Sequence, residues 1–555
     1  MSGKQQLEVR NLRVAYGTGD PVLRGVDLVI GAGEIVGIVG ESGSGKTTLV
    51  RSLLGLLPAS ASISGEVEWG GSLDLLKRDD RKRVLGSELT YVPQSPSTSF
   101  APLRTVGAQV VEPLRLHRAL RHGQHGAAAA LLDSVAIDAP TRRAKQYPHE
   151  LSGGMRQRAL IASALATSPK LIVADEPTAS LDVTTQRKVL NLIDRLVADN
   201  GSSLLLVTHD LGIALERCDR IIVLQHGIVI ESTTPARLLA GEGEEYTRRL
   251  IDEVLGDGAL GHGAASASSG ETAAEPVLAL TAATKIFRSA DAADDDAPGA
   301  RDVSFTVARG RTVAIVGESG SGKSTVANLI MGELALDSGE ITIDGQSVRD
   351  FSGRGRKALL RRIQLIHQDS AGSFDPRYTV AQILDEPLRN FGTGGRAERR
   401  RRAEELAALV ALPAAILNRR ARSLSGGQAQ RVAIARALAV DPEVLVLDES
   451  VSALDVLVRR QILDLIAELQ LRLGLTTVFI THDLAVARRI SHKVVVMQRG
   501  RVVEHGPTAD VFERPSHEYT RELIAAVPGF ALRSGVAETN SAQPEPVGAG
   551  APLVH

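Results

Sequence analysis

Short apolar runs alternate along this chain with longer stretches of helical period. EIVGIVG (34–40) and LIVADE (171–176) are too short for helices and lack the polar alternation of half-exposed strands. Such runs predict strands buried on both faces, as in a parallel sheet. QRKVLNLIDRLVAD (186–199) brings apolar residues back at helical spacing and predicts an amphipathic helix. The alternation predicts a doubly wound α/β core. Residues 95–150 and 369–423 interrupt it with further helical patterns, which predicts a helical insertion beside the core. GGRAERRRRAEELAALVA (394–411) falls in the second insertion, and its four-arginine run reads as a solvated helix face.

The pattern occurs twice. IVGIVGESGSGKTT (35–48) is answered by TVAIVGESGSGKST (312–325), and LSGGMRQR (151–158) by LSGGQAQR (424–431). LIVADEPTASLD (171–182) is answered by VLVLDESVSALD (444–455), and LLLVTHDLGIAL (204–215) by TVFITHDLAVAR (477–488). The offsets between matched residues stay within 273–277. A period this long is a duplicated domain, since solenoid repeats run about 20–50 residues. The expected layout is a first domain at 6–254, a linker at 255–276, a second domain at 277–528 and a disordered tail at 529–555. The linker is rich in Gly, Ala and Ser and reads as flexible. SADAADDDAP (289–298) reads as an acidic surface loop of the second copy.

Composition narrows the class. The chain has 555 residues, 43% hydrophobic and 23% charged, with 64 basic against 65 acidic side chains. A net charge of −1 argues against a protein that coats nucleic acid along its length. The single cysteine, Cys218, excludes an internal disulfide, a four-cysteine zinc site and an iron–sulfur cluster, and it reads as a small buried residue. No apolar run approaches the 18 residues of a membrane span, and the start lacks an apolar signal core. The expectation is a chain that begins and stays in the cytoplasm, with any membrane role coming through partners. Lysines number only 11, so two of them inside matched motifs carry weight.

Those motifs are GESGSGKT (40–47) and GESGSGKS (317–324), each between an apolar strand and a helical pattern. They fit the phosphate loop G-x-x-x-x-G-K-[ST]. Gly40, Gly43, Gly45 and their counterparts Gly317, Gly320 and Gly322 let backbone N–H groups turn inward toward phosphate oxygens. Ser42, Thr48, Ser319 and Thr325 complete the loops, and each helix N-terminus adds positive dipole character. Lys46 and Lys323 are expected on the β/γ-phosphates, Thr47 and Ser324 on Mg²⁺. Asp175–Glu176 and Asp448–Glu449 each end an apolar strand. The first acid of each pair suits Mg²⁺ and the second suits the attacking water. His209 and His482, in THD after a strand, are expected to reach the γ-phosphate. Gln94 and Gln368 are expected at Mg²⁺ or water. Ser152, Gly153, Gly154 and Ser425, Gly426, Gly427, with Met155 and Gln428 following, open helices and form second anion cradles. Two cradles per copy suit sites to which both copies contribute.

Taken together, the motifs resemble the ATP-binding cassette (ABC) ATPases over both halves, with every element in family order. The resemblance implies two tandem P-loop domains, each with a RecA-like core, an antiparallel β part and a helical subdomain. It implies two ATP sandwiched head to tail, each between the P-loop of one copy and the LSGG segment of the other. Site one would combine Gly40–Thr48, Gln94, Asp175, Glu176 and His209 with Ser425–Gln428. Site two would combine Gly317–Thr325, Gln368, Asp448, Glu449 and His482 with Ser152–Met155. Asp182 and Asp455 would lie at the interface, and Tyr16 and Phe287 would stack on adenine. Met155 departs from the usual glutamine and Ser450 from the usual proline. Neither removes a phosphate or metal contact, so both sites are expected to hydrolyse ATP.

The segments QSPSTSFAPLRTVGAQVVEPL (94–114), QDSAGSFDPRYTVAQILDEPL (368–388), EEYTRRL (244–250) and SHEYTRELIAAVP (516–528) are similar to ATPases of oligopeptide, dipeptide and nickel importers. That likeness implies a peptide cargo, with nickel, metallophore or glutathione-like cargo as the alternative. It also implies two integral-membrane permease subunits, an extracytoplasmic substrate-binding protein, and a peripheral place on the cytoplasmic side of the inner membrane. No direct contact with nucleic acid is expected. The rival class, a soluble two-cassette ATPase of ribosomes or DNA, fits less well. Its ribosomal type has a long charged linker and its DNA-repair type needs zinc cysteines.

Overall fold

The computed structural model describes residues 5–117, 124–178, 181–255, 276–287, 297–351, 354–452, 454–529 and 532. Each copy is built on a six-stranded sheet. In the first the order is Ile228–Thr233, Arg220–Gln225, Ile35–Val39, Ser203–Val207, Leu171–Asp175, Leu89–Val92. All neighbours are parallel except the first pair. The second copy repeats this with Arg501–Pro507, Lys493–Gln498, Thr312–Val316, Thr476–Ile480, Val444–Asp448 and Ile363–Ile366. The apolar runs are indeed central: every residue of Leu171–Asp175 and Thr312–Val316 is buried. A strand covered by helices on both faces has no polar side to show water, which is why these runs do not alternate.

A four-stranded antiparallel sheet accompanies each core: Leu23–Gly31, Gln5–Tyr16, Ala61–Trp69 and Leu73–Asp74 in the first copy. Its counterpart runs Ala297–Ala308, Pro276–Phe287, Ser338–Ile343 and Gln346–Ser347. The described part of the second copy places Ala297 and Pro298 in a strand, paired with Phe287 and Ile286, so the end of the expected acidic loop is sheet. The remainder of that loop, and the linker from 256 to 275, lie outside the described residues. Between Gln94 and the LSGG helix come short helices such as Val106–Val110 and Gln124–Ser134. The second copy has Val380–Asn390 and Arg396–Leu409 at the matching place. Within the arginine run Arg400 and Arg401 face solvent, in i,i+4 pairs with Glu404 and Glu405, whereas Arg399 and Arg402 are part-buried, Arg399 bonded to Asp385 at 2.7 Å. Exposed pairs of this kind are each worth a few tenths of a kcal/mol.

Cys218 is buried against Gly37 of the P-loop strand, and burial pushes its thiol up to about 12. Among the described residues no helix is long and apolar enough to cross a membrane.

The copies pack directly on each other. Val183 and Thr184, at the start of the helix Val183–Asn200, meet the second copy. Leu457, at the start of Val456–Leu473, packs into the core of the first. The chain end is part of this contact. The amide of Gly529 donates to the Glu216 carboxylate, and Leu532 packs against the first copy's core. Gly529 and Leu532 thus depart from the disordered tail expected over 529–555. Their apolar and hydrogen-bonding partners lie 300 residues upstream and leave no local signature. The other residues of that tail lie outside the described set.

Candidate active sites

Each phosphate loop joins a buried strand to a helix, Lys46–Leu54 or Lys323–Ile330. Gly40 has φ 152° and Gly45 φ 106°, left-handed values that favour glycine. A side chain on Gly40 would also lie 2.1 Å from the Leu224 carbonyl oxygen. Gly317 repeats this against the Met497 carbonyl oxygen at 2.2 Å. The loops therefore need glycine both for conformation and for room. Lys46 is buried and donates to the carbonyls of Gly40 (2.7 Å) and Glu41 (2.8 Å). Lys323 does the same to Gly317 (2.9 Å) and Glu318 (2.7 Å).

The acid pairs are shaped by one backbone choice. In an extended strand Asp175 and Glu176 would face opposite sides of the sheet. Glu176 instead has φ 45° and Glu449 φ 46°. A left-handed non-glycine residue costs about 1–2 kcal/mol, and the same outlier recurs in both copies. It turns the chain so that both acids act on the loop lysine. Burial lowers the Lys46 ammonium, while Glu176 and Asp175 hold it up. Lys323 is treated in the same way by Glu449 and Asp448.

Glu176 is held on both oxygens. Gln94 Nε2 donates to Oε2 at 2.7 Å, and His209 Nδ1 lies 3.2 Å from Oε1. In the second copy Gln368 Nε2 donates at 3.0 Å and His482 Nδ1 lies at 3.3 Å from Glu449. Burial pushes the Glu176 carboxyl up, but His209, Lys46 and Gln94 outweigh it and leave the group below the ordinary carboxylate range. His482 is the largest influence on Glu449 and also lowers it. The neighbouring aspartates go the other way. Burial, then the adjacent glutamate, raises both Asp175 and Asp448. Within each pair the environment separates the two acids, the usual mark of different tasks.

The sites are not closed within one copy. Asp455 of the second copy acts on Lys46, and Asp182 of the first acts on Lys323. A pocket at the first loop is lined by Gly40, Glu41 and His209 together with Asp455 and Val456. At the second loop the Thr184 hydroxyl donates to the Glu318 carboxylate. Asp182 and Asp455 cap their own interface helices, accepting from Thr185 N (2.9 Å) and Val458 N (3.0 Å).

The LSGG serines cap the helices Gly153–Leu165 and Gly426–Leu438, each accepting at 3.3 Å from the amide three residues on. Gln428 returns the bond to Ser425 N at 3.2 Å and completes a capping box. Met155 cannot, and packs on the first copy's core instead. Ser152 and Ser425 are exposed. Among the described residues no hydrogen bond joins either to the opposite phosphate loop. Gly154 and Gly427 sit against Thr185 and Val458, so each signature turn abuts its own copy's interface helix.

Tyr16 lies at the first loop, its hydroxyl 3.3 Å from Thr48 Oγ1. Phe287 is exposed and lies against Gly299, which also neighbours Thr325. Ser450, where proline is usual, is buried with an unpartnered hydroxyl. The sequence reading missed two loop contacts. Tyr246 and Tyr519 accept hydrogen bonds from the amides of Glu41 (3.2 Å) and Glu318 (3.1 Å). The repeated EYT tripeptide was the available signal.

Two tandem P-loop domains, with the interface aspartate of each acting on the other's phosphate-loop lysine, define a paired nucleotide-hydrolysing cassette. The family model for the ABC transporter ATPase domain matches residues 23–179 and again 300–452. The chain is 38% identical to the glutathione import ATP-binding protein GsiA of Pectobacterium atrosepticum, over 95% of this chain and 90% of that protein. It is 38% identical to the peptidoglycan transport ATP-binding protein YejF of Agrobacterium fabrum, over 94% and 96%. It is 37% identical to the oligopeptide transport ATP-binding protein OppD of Mycobacterium tuberculosis, over 94% and 98%. The chain belongs to the ABC transporter family, as a fused pair of its ATP-hydrolysing cassettes.

Proposed function

We propose that this chain is the motor of an importer for short peptides, with two composite ATP sites. The observation that carries the composite reading is geometric: Gly40, Glu41 and His209 of the first copy line one pocket with Asp455 and Val456 of the second, and Thr184 of the first copy bonds Glu318 in the second phosphate loop. In this reading the β- and γ-phosphates of ATP lie in the loops Gly40–Thr48 and Gly317–Thr325, on Lys46 and Lys323. Ser425–Gln428 closes on the first and Ser152–Met155 on the second. Tyr16 and Phe287, beside the loops, take the adenines. Glu176 and Glu449 accept the proton of the attacking water. Gln94 with His209, and Gln368 with His482, fix the carboxylate orientation and reach the γ-phosphate side.

Magnesium fits the residues present. Asp448 Oδ1 is buried without a partner, and the Ser324 hydroxyl bonds the same carboxyl. Thr47, Asp175 and Gln94, and Ser324, Asp448 and Gln368, would hold the ion. When bound it supplies charge neutralisation at the phosphates. Such a cation would favour the charged form of Asp175 and Asp448 and oppose the upward push that burial gives them.

Domain limits of 6–254 and 277–528 suit this reading. The partners are two permease subunits, gripped by the helical insertions, and through them an extracytoplasmic binding protein. The place is the cytoplasmic face of the inner membrane. Support for peptide cargo comes from the relatives' names, which share short peptides or peptide-bearing molecules. Glutathione is itself a tripeptide and falls inside that class. The test is copurification with the permeases and stimulation of ATPase by peptide-loaded binding protein. Both are expected; absence of both contradicts the importer reading.

A further inference from the structure

The most informative unabsorbed motif is the repeated EYT. Tyr246 and Tyr519 stand 273 residues apart, the offset of the acid pairs and the histidines, so they are the same position in the two copies. Each begins a C-terminal helix, Glu245–Leu255 or Glu518–Ala525. Each takes the amide of the glutamate in GESGSGK, at 3.2 Å and 3.1 Å. The carbonyl of that same glutamate takes the loop lysine, at 2.8 Å and 2.7 Å. The lysine also bonds the carbonyl of the preceding glycine, Gly40 at 2.7 Å or Gly317 at 2.9 Å, so the glycine–glutamate peptide unit is held at both ends, by a tyrosine hydroxyl on N–H and by the phosphate-loop lysine on C=O.

The helices that carry these tyrosines also meet the opposite copy. Tyr519 and Leu523 pack in one cluster with Val183 of the first copy. Leu250 and Tyr246 pack in one cluster with Leu457 of the second. At the second loop the glutamate side chain is also tied across, through Thr184. Each C-terminal helix thus lies between its own phosphate loop and the other copy's interface helix. The tyrosine hydroxyl is its polar contact with the loop. Burial pushes both phenols up to about 12, so they stay protonated across the working pH range.

We infer that Tyr246 and Tyr519 are positioning residues for nucleotide binding, holding the first peptide units of the two phosphate loops in register with the opposite interface helix. They touch no phosphate themselves and act through the loop backbone. Removing the hydroxyl leaves a loop amide unpaired and frees the glutamate peptide to rotate. The effect should fall on ATP binding more than on the chemical step, because the bond is present before and during hydrolysis.

The inference rests on the nucleotide-site reading, so wild-type binding is measured alongside. Tyr246→Phe and Tyr519→Phe are made in the full chain, since phenylalanine keeps the ring packing. Binding of a fluorescent ATP analogue, KM and kcat for ATP, and the melting temperature without nucleotide are read. Each variant is expected to bind nucleotide roughly three- to tenfold more weakly, the worth of one hydrogen bond. KM should rise with kcat within about twofold. Wild-type affinity in both folded variants overturns the inference. So does a fall in melting temperature without change in KM, which would make the tyrosines packing residues only. If buried Tyr519→Phe fails to fold, half-buried Tyr246→Phe decides. Failure of the wild-type chain to bind the analogue would instead count against the nucleotide site itself.

Discussion

Replacing both Glu176 and Glu449 by glutamine is expected to lower steady-state ATP turnover by at least about 100-fold, the usual contribution of a positioned base. Glutamine keeps the size of the side chain and one oxygen for Gln94 or Gln368 to reach. It carries the same left-handed backbone cost as glutamate, so the fold is not asked for anything new. What it loses is the charge that accepts a proton and that supports Lys46 and Lys323. ATP binding should survive, and the double variant should accumulate as an ATP-bound closed form. Each single substitution should also reduce turnover, because each glutamate has its own glutamine at 2.7 Å or 3.0 Å and its own histidine. Phosphate release measured with the loaded transporter checks this. A single substitution that leaves transport-coupled turnover unchanged would show that its site does no work.

Alanine at Gly40 or Gly317 should be nearly as damaging, by a different route. Both glycines have φ near 150°, and both meet a backbone carbonyl within 2.2 Å of the added carbon. The obstructing oxygens belong to Leu224 and Met497, in the strands beside each phosphate-loop strand. A buried sheet strand cannot rotate away as a side-chain tip would. Strain and overpacking together put the cost at about 2–5 kcal/mol. The loop can relieve it only by moving, which displaces the amides that would meet phosphate. Thermal unfolding should show the loss, and nucleotide titration should show affinity at that site down at least tenfold. A variant with wild-type melting and affinity would refute this account of the loops.

Much of this molecule was legible in the residues. The strands announced themselves because burial on both faces forbids polar alternation. The phosphate loops did so because glycine, lysine and hydroxyl occur at a fixed spacing, and duplication confirmed each motif by its twin. The left-handed turn at Glu176 and Glu449 was not legible. No side chain marks it, and the backbone hydrogen bonds made there, Glu176 N–H to Val207 O and Glu449 N–H to Ile480 O, join residues about 30 apart in the chain. The grip of Tyr246 and Tyr519 on the loops left only the repeated EYT as a sign, because about 200 residues separate the partners. The difference between the copies at the interface helix, Thr184 against Leu457, was written in the sequence. It acquires meaning only when Glu318 is seen to accept from Thr184. Phe287 illustrates the reverse case. Its distance from Lys323 was stretched by the acidic segment, yet sheet pairing with Ala297 brings it back beside Gly299 and Thr325.

The central claim is that each ATP site is shared between copies. The buried Cys218 gives a quiet background for engineered cysteines, since burial and the raised thiol leave it unreactive. Ser42→Cys combined with Ser425→Cys spans the first proposed site, and Ser319→Cys with Ser152→Cys spans the second. Ser42→Cys with Ser152→Cys joins the two segments of one copy instead. In the Glu176→Gln, Glu449→Gln chain with ATP and mild oxidation, the account predicts disulfides in both cross-copy pairs and none in the within-copy pair. A disulfide that forms only in the within-copy pair would contradict it.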